Sequence, residues 1–225
     1  MFSIETASSS HVADICMTSK QSLLYGVIEF AAKDTYPADA ARLVLTGAVG
    51  AAAGVIGANW PAAMAKGIAK TLAGLTSGEY PYHVMGAFFS VSDRVVHLCW
   101  AGTIRVHQVR RSATIRTTND HNLIDDPIEG VTEMLLSSPP DTIAANRYLP
   151  SRTIGPMNSR PPETQIWEME PGDILLVCSA YVHRNEPPGE YVPNLVSDHV
   201  AMLGCDSGMV TLIRSGPLPG CRKPL

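Results

Sequence analysis

Few stretches of this 225-residue chain set side by side the residue types that reactions need. Asp120-His121 places a carboxylate beside an imidazole, a pairing suited to proton transfer. Ser179, followed by Ala180 and Tyr181, offers a hydroxyl, but no Gly-x-Ser-x-Gly elbow surrounds it, which argues against a serine hydrolase. His97 and His107 fall in strand-like sequence and read as core or edge histidines, and Arg110-Arg111 and Arg160 read as solvated faces. The five cysteines (Cys16, Cys99, Cys178, Cys205 and Cys221) are an odd count without a Cys-x-x-Cys pair. That pattern points to buried free thiols in a reducing compartment and not to zinc.

The elements that must position these groups centre on Pro171-Gly172-Asp173-Ile174-Leu175-Leu176-Val177-Cys178-Ser179-Ala180-Tyr181. A turn feeds a short aliphatic run, as in a strand covered on both faces that delivers its last residues to the rim of a sheet. Before it, Phe2–Thr6, Ala13–Met17 and Leu23–Phe30 read as strands. A helical region opens at Pro37 or Asp39 and runs to about Gly57, and a second helix spans Pro61–Leu75. Glycines along the first of these predict close packing on a sheet. Period 2 returns in His83–Val91, Arg94–Ala101, Ile104–Arg110 and Ala113–Thr117, read as one antiparallel meander. Pro127–Leu136 is the most helical piece of 119–150, Gln165–Met169 and Met209–Arg214 are further strands, and Asn194–Leu203 is a short helix. No linker divides residues 1–225, so a single α/β domain with mostly antiparallel sheets is expected.

Composition narrows the function classes. With 45% hydrophobic and 17% charged residues the chain is globular, and a net charge of −4 gives no reason to expect nucleic acid or an anionic membrane as partner. Leu43–Ala65 is uncharged and contains Gly50-x-x-x-Gly54, but Asn59, Trp60 and Pro61 interrupt it, so a packed soluble helix is favoured over a membrane span. Met-Phe-Ser-Ile-Glu-Thr-Ala at the N-terminus has neither the charge nor the apolar core of a secretory signal, and a cytoplasmic protein is expected.

Six segments, in order, resemble the type 2C metal-dependent serine/threonine protein phosphatases. Leu24-Tyr25-Gly26-Val27-Ile28-Glu29-Phe30 is similar to that family's "phe-gly-val-phe-Asp-Gly" strand. Val95–Val106 resembles its "ala-asn-val-Gly-Asp-Ser-Arg-ala" strand and turn, and Thr118-Asn119-Asp120-His121-Asn122 its "Thr-x-Asp-His-Ser". Ser151-Arg152-Thr153-Ile154-Gly155 is similar to "thr-Arg-ala-Leu-Gly", the central run to "gly-asp, aliphatic run, Ser-Asp-Gly", and Cys205–Thr211 to "Asp-Asn-x-Thr-val-val". The resemblance implies an α/β fold: a β-sandwich of two mostly antiparallel sheets with helices packed on both outer faces. It also implies that Asp120-His121 supports a loop.

The family's chemistry uses two Mg or Mn ions, held by carboxylates, to activate a water. Carried onto this chain, that ligand set is damaged. Glu29-Phe30 stands where the family has Asp-Gly, Ala180-Tyr181 where it has the second Asp-Gly, and Asp206 keeps the final Asp. Asp14 matches an N-terminal Asp, with Ala13 for the preceding Glu, and His11 lies nearest the position of the phosphate-binding Arg. Two cations a few ångströms apart repel strongly unless anions neutralise them, so the missing carboxylate at Ala180 argues against a pair. Phe30 and Tyr181 are expected to meet at the rim and fill the vacated cleft.

These replacements imply a pseudophosphatase: no catalytic residue, no cofactor, and another protein as its partner. Two alternatives stay open. One is an active Mg- or Mn-dependent phosphatase with a remodelled site on Glu29 and Asp206. The other is a structural subunit that forms a homo-oligomer through its Gly/Ala-rich helix.

Overall fold

Alternating apolar and polar residues open the chain in β1 (Phe2–Ser8), and β2 (Val12–Thr18) and the largely apolar β3 (Ser22–Phe30) follow. In the computed structural model two helices follow, α1 (Ala40–Ala51) and α2 (Trp60–Leu75), the latter with Pro61 in its first turn, where no intrahelical N–H is needed. Then come β4 (Val84–Ser92), β5 (Val95–Ala101), β6 (Arg105–Arg110) and β7 (Ala113–Thr117). Two short helices, α3 (Val131–Leu136) and α4 (Pro140–Asn146), precede β8 (Glu163–Glu168), β9 (Ile174–Cys178) and β10 (Met209–Ser215). The structure describes residues 2–8, 12–18, 22–30, 40–55, 57–75, 83–111, 113–146, 149–155, 160–179 and 209–215.

The strands form two five-stranded antiparallel sheets, in the orders β1-β10-β9-β6-β7 and β2-β3-β4-β5-β8. The aliphatic run 174–178 is the middle strand of the first, as its sequence predicts. The sheets face one another across a core that includes Tyr25, Val27, Phe89, Trp100, Val106, Trp167, Leu175 and Val177. Tyr25 and Phe89 stack there with ring centroids 5.2 Å apart. A second core lies on the outer face of the β3-containing sheet, where Ile28, Phe30 and Phe88 meet Val44, Ala48, Trp60, Met64, Ile68 and Leu72 of α1 and α2. Each such large apolar side chain contributes about 1.5–3 kcal/mol on burial. The mixed α/β sandwich of two antiparallel sheets is therefore the architecture, while the helix expected over 194–203 lies outside the described residues.

Residues 83–117 are not one meander. They form two hairpins, β4–β5 and β6–β7, in different sheets. The first closes on Asp93-Arg94, whose φ values of 47° and 70° match the twist of a two-residue hairpin. At Gly102, φ 90°, the chain instead leaves the sheet, and a Cβ there would stand 2.4 Å from Met85 Cγ. The strand that follows pairs with β9 and not with β5.

The uncharged stretch 43–65 is also divided. It ends one helix at Ala51, turns through Gly54 and Gly57 at φ 88° and 71°, and starts another at Trp60. No helix among the described residues is long and apolar enough to cross a membrane. Close packing does not account for every glycine of α1, since Gly50 faces open space.

Candidate functional site

The strand register brings Asp14 on β2 and Glu29 on β3 near one another. On β3, Tyr25 and Val27 point between the sheets while Ile28 and Phe30 point to the helices, so alternation turns Glu29 into the inter-sheet cleft. Val12 lies opposite Glu29 in the register and Asp14 opposite Val27. Asp14 and Glu29 thus share the cleft face as diagonal neighbours, roughly 7 Å apart at Cβ. Glu29 is only 3% exposed. Burial raises the Asp14 carboxyl above its ordinary 3.8, against a hydrogen bond donated by the Tyr25 hydroxyl at the long distance of 3.5 Å.

Phe30 corrects the expected aromatic plug. Its side chain is 5% exposed and packs with Val84, Phe88 and Ile154 in the core beneath the helices, on the opposite face from Glu29. Ala180, Tyr181 and Asp206, like His11, lie outside the described residues. The expectation of buried thiols holds for Cys99 and Cys178 but not for Cys16, which is exposed; all three are free. Burial pushes the Cys99 thiol up to about 12, and partial desolvation together with the Asp14 charge pushes the Cys16 thiol up to about 11, so neither is an activated nucleophile.

Two divalent cations require several ionised oxygens. Asp14 and Glu29 are two carboxylates, and no group of three or more His, Cys, Asp or Glu able to hold a metal ion occurs among the described residues. The described residues do not by themselves compose a two-cation site.

The chain also carries a larger polar cleft that local sequence did not reveal. The His121 N–H donates to Gly102 O at 3.0 Å, next to Met85, which pairs with Glu29 in the sheet. Around it a cavity of about 600 Å³ is lined by Arg105, Asp120, His121, Asp126, Arg152 and Glu163, among others. Arg105 grips Asp120 through two nitrogens, both at 2.8 Å, which ties the loop after β7 to β6 as the sequence reading expects. Asp126 accepts from Arg152 Nε at 2.8 Å, Ser151 Oγ at 2.7 Å and Arg160 Nη1 at 3.1 Å. Partial burial opposes charge on Asp126, but these donors hold its carboxyl below the ordinary 3.8. Arg160, like Arg110, is thus an ion-pair partner and not merely a solvated face.

His121 stacks on Trp100 with the ring planes 7° apart, and its Nε2 lies 3.1 Å from Glu163 Oε2. Burial lowers its pKa below 6.5 against the pull of Glu163. Burial thus favours the neutral ring, and its buried Nδ1 finds no partner among the described residues. Because Arg105 and Arg152 are already clamped by carboxylates, an incoming anion would have to displace one. These contacts join residues such as Asp126 and Arg152, 26 positions apart, a spacing at which no local pattern is visible. The motif-like Thr118-Asn119-Asp120-His121-Asn122 and Ser151-Arg152-Thr153-Ile154-Gly155 are the sequence signals that pointed there.

Comparison with known proteins gives no matching family model and no matching curated relative. Solved structures do match. The S. agalactiae serine/threonine phosphatase superposes with a TM-score of 0.71 at 16% identity, over 96% of this chain and 99% of its own. Stp1 from Staphylococcus aureus gives 0.63 at 16% identity, over 95% and 94%. The catalytic domain of the serine/threonine protein phosphatase PstP, in complex with two manganese ions, gives 0.61 at 14% identity, over 95% and 97%. At such identities it is architecture that is shared: the chain has the fold of the type 2C serine/threonine phosphatases.

Proposed function

We propose that this chain is a pseudophosphatase, a type 2C phosphatase-like fold used as a protein-binding, regulatory module in the cytoplasm. The observation that carries this reading is the pair Asp14 and Glu29, the two carboxylates that the described strands β2 and β3 bring to the cleft face. A divalent pair needs more anionic oxygen than they supply, and Ala180 puts a methyl group where the family-like motif has a ligand. Burial also disfavours the ionised form of Asp14 that a cation requires. The free thiols Cys16, Cys99 and Cys178 are in keeping with a reducing compartment.

The second reading is an active phosphatase with a remodelled metal site. Asp14 and Glu29 facing one cleft favour it, as does the manganese pair held by one solved structure of this fold. Hydrolysis of an aryl phosphate and of phosphoserine and phosphothreonine peptides in millimolar Mn separates the two. Turnover at background is expected for the pseudophosphatase. Manganese-dependent turnover that disappears in Glu29→Ala, with the fold checked by circular dichroism, establishes the second reading instead.

A further inference from the structure

The segment between β7 and β8 carries an unusual surface. From Thr117 to Asn146 it has Asp120, Asp125, Asp126, Glu129, Glu133 and Asp141 but no Lys or Arg. Asp120 and Asp126 are neutralised by Arg105, Arg152 and Arg160. The other four acids are exposed, and none of them forms an ion pair among the described residues. Amid these acids α3 is fixed by its inner side only. Thr132 and Leu135 are buried, and Thr132 Oγ1 donates to Leu123 O and accepts from Ile128 N. Val131 and Met134, three positions apart on one outer face, are 40% and 69% exposed, and Leu136, 56% exposed, lies on the other flank. Leu149, 46% exposed, is bonded through its backbone to Leu123, whose carbonyl holds the inner side of the helix through Thr132.

We propose that α3 and its acidic surround form a docking surface for a basic amphipathic segment of another protein, a peptide with apolar anchors flanked by Lys or Arg. Large apolar side chains so exposed, Met above all, are the adaptable anchors of peptide-binding faces. The exposed acids, which form no ion pair among the described residues, select the sign of the partner's rim. A second copy of this chain is disfavoured, because a symmetric pair would set the same acids against each other. Anionic lipid and nucleic acid are disfavoured on the same ground. This inference rests on the protein-binding reading above and gives that reading a partner chemistry.

The probe is a fluorescent helical peptide with Leu on one face and Lys on the other, titrated against the full chain by anisotropy. Its counterpart with Glu in place of Lys serves as control. The Lys peptide is expected to bind and the Glu peptide not. Val131→Ser with Met134→Ser, and separately Glu129→Lys with Glu133→Lys, are each expected to weaken binding about tenfold. Raising the salt should weaken the parent chain's binding and leave the charge-reversed variant less affected. Absence of binding by the parent chain, or binding that both variants keep, overturns the proposal. So does a fall in oligomeric state in the Val131/Met134 variant by sedimentation, which assigns the surface to a second copy. Localised peptide binding together with manganese-dependent hydrolysis keeps the docking surface and removes the pseudophosphatase. Loss of docking without hydrolysis does the reverse.

Discussion

Asp173 shows how the chain uses charge to hold its central strand. Its side chain has no exposed surface, yet it accepts from Arg110 Nε at 2.8 Å, Gln108 Nε2 at 2.7 Å and the Glu170 N–H at 2.9 Å. Burial opposes its charge, but these donors, Arg110 first, hold the carboxyl below 3.8. The Gly-Asp turn that opens the strand is thereby fastened to β6 and to the end of β8, which Gln108 also reaches through Glu168 O at 2.7 Å. Asp173→Asn keeps the shape but replaces an acceptor of charged donors, and an amide N–H then faces donors. A loss of about 2–3 kcal/mol in urea unfolding is expected, below the cost of breaking a fully buried pair because Arg110 is partly exposed. The folded value lies below the unfolded one. The stabilisation is therefore complete well above pH 3.8 and is lost as the pH falls from there through the folded value. The gap between parent and variant should close in acid; a gap that stays constant down to pH 2 contradicts this account. Nothing local in Pro171-Gly172-Asp173 announced this network, since the Gln108 and Asp173 partners stand 65 positions apart.

At the scale of elements, two glycines make opposite predictions. Gly102 turns the chain from one sheet to the other with a positive φ and no room for a Cβ beside Met85. Gly102→Ala should cost about 1–3 kcal/mol from strained backbone and overpacking together. Gly50, on the open side of α1, meets no heavy atom within 4 Å, and Gly50→Ala should stabilise by up to about 1 kcal/mol through helix propensity. Equilibrium denaturation of both variants checks the pair, and equal effects would contradict it. These positions also mark what sequence pattern can and cannot carry. Period-2 alternation located β3, β4, β5 and β6 and turned Glu29 and Asp14 to one cleft, because alternation fixes which face a residue takes. It does not fix which strand is the neighbour, and so the change of sheet at Gly102 was read as one more turn of a meander. The same limit governs Phe30. Its neighbour relation to the motif was legible, but its face was misjudged, since one step along a strand reverses the direction of the side chain.

For the whole molecule, the question of the metal becomes one of linkage. A cation that binds the folded chain and not the unfolded one must raise stability by RT ln(1 + [L]/Kd), which is about 2.7 kcal/mol at a hundredfold excess over Kd. For a chain of 225 residues that corresponds to a rise of about 5–10 °C in melting temperature. Thermal shift is thus sensitive to occupancy whether or not turnover occurs, and it reports on the intact chain, including the positions Ala180 and Asp206 that the described strands do not reach. The proposed pseudophosphatase predicts a shift of less than about 1 °C on adding millimolar Mn or Mg at pH 7. Asp14 gives the prediction its edge. Its burial raises the carboxyl pKa, so a cation that does bind must displace a proton there, and its apparent affinity must climb as the pH rises. A shift of several degrees that grows as the pH rises and is abolished by Asp206→Ala or Glu29→Ala would show a metal centre completed by residues beyond β2 and β3, and the remodelled phosphatase would then be the better description. A flat response at every pH, with the parent and both variants melting together in Mn, leaves the fold standing without the chemistry that its solved counterparts carry.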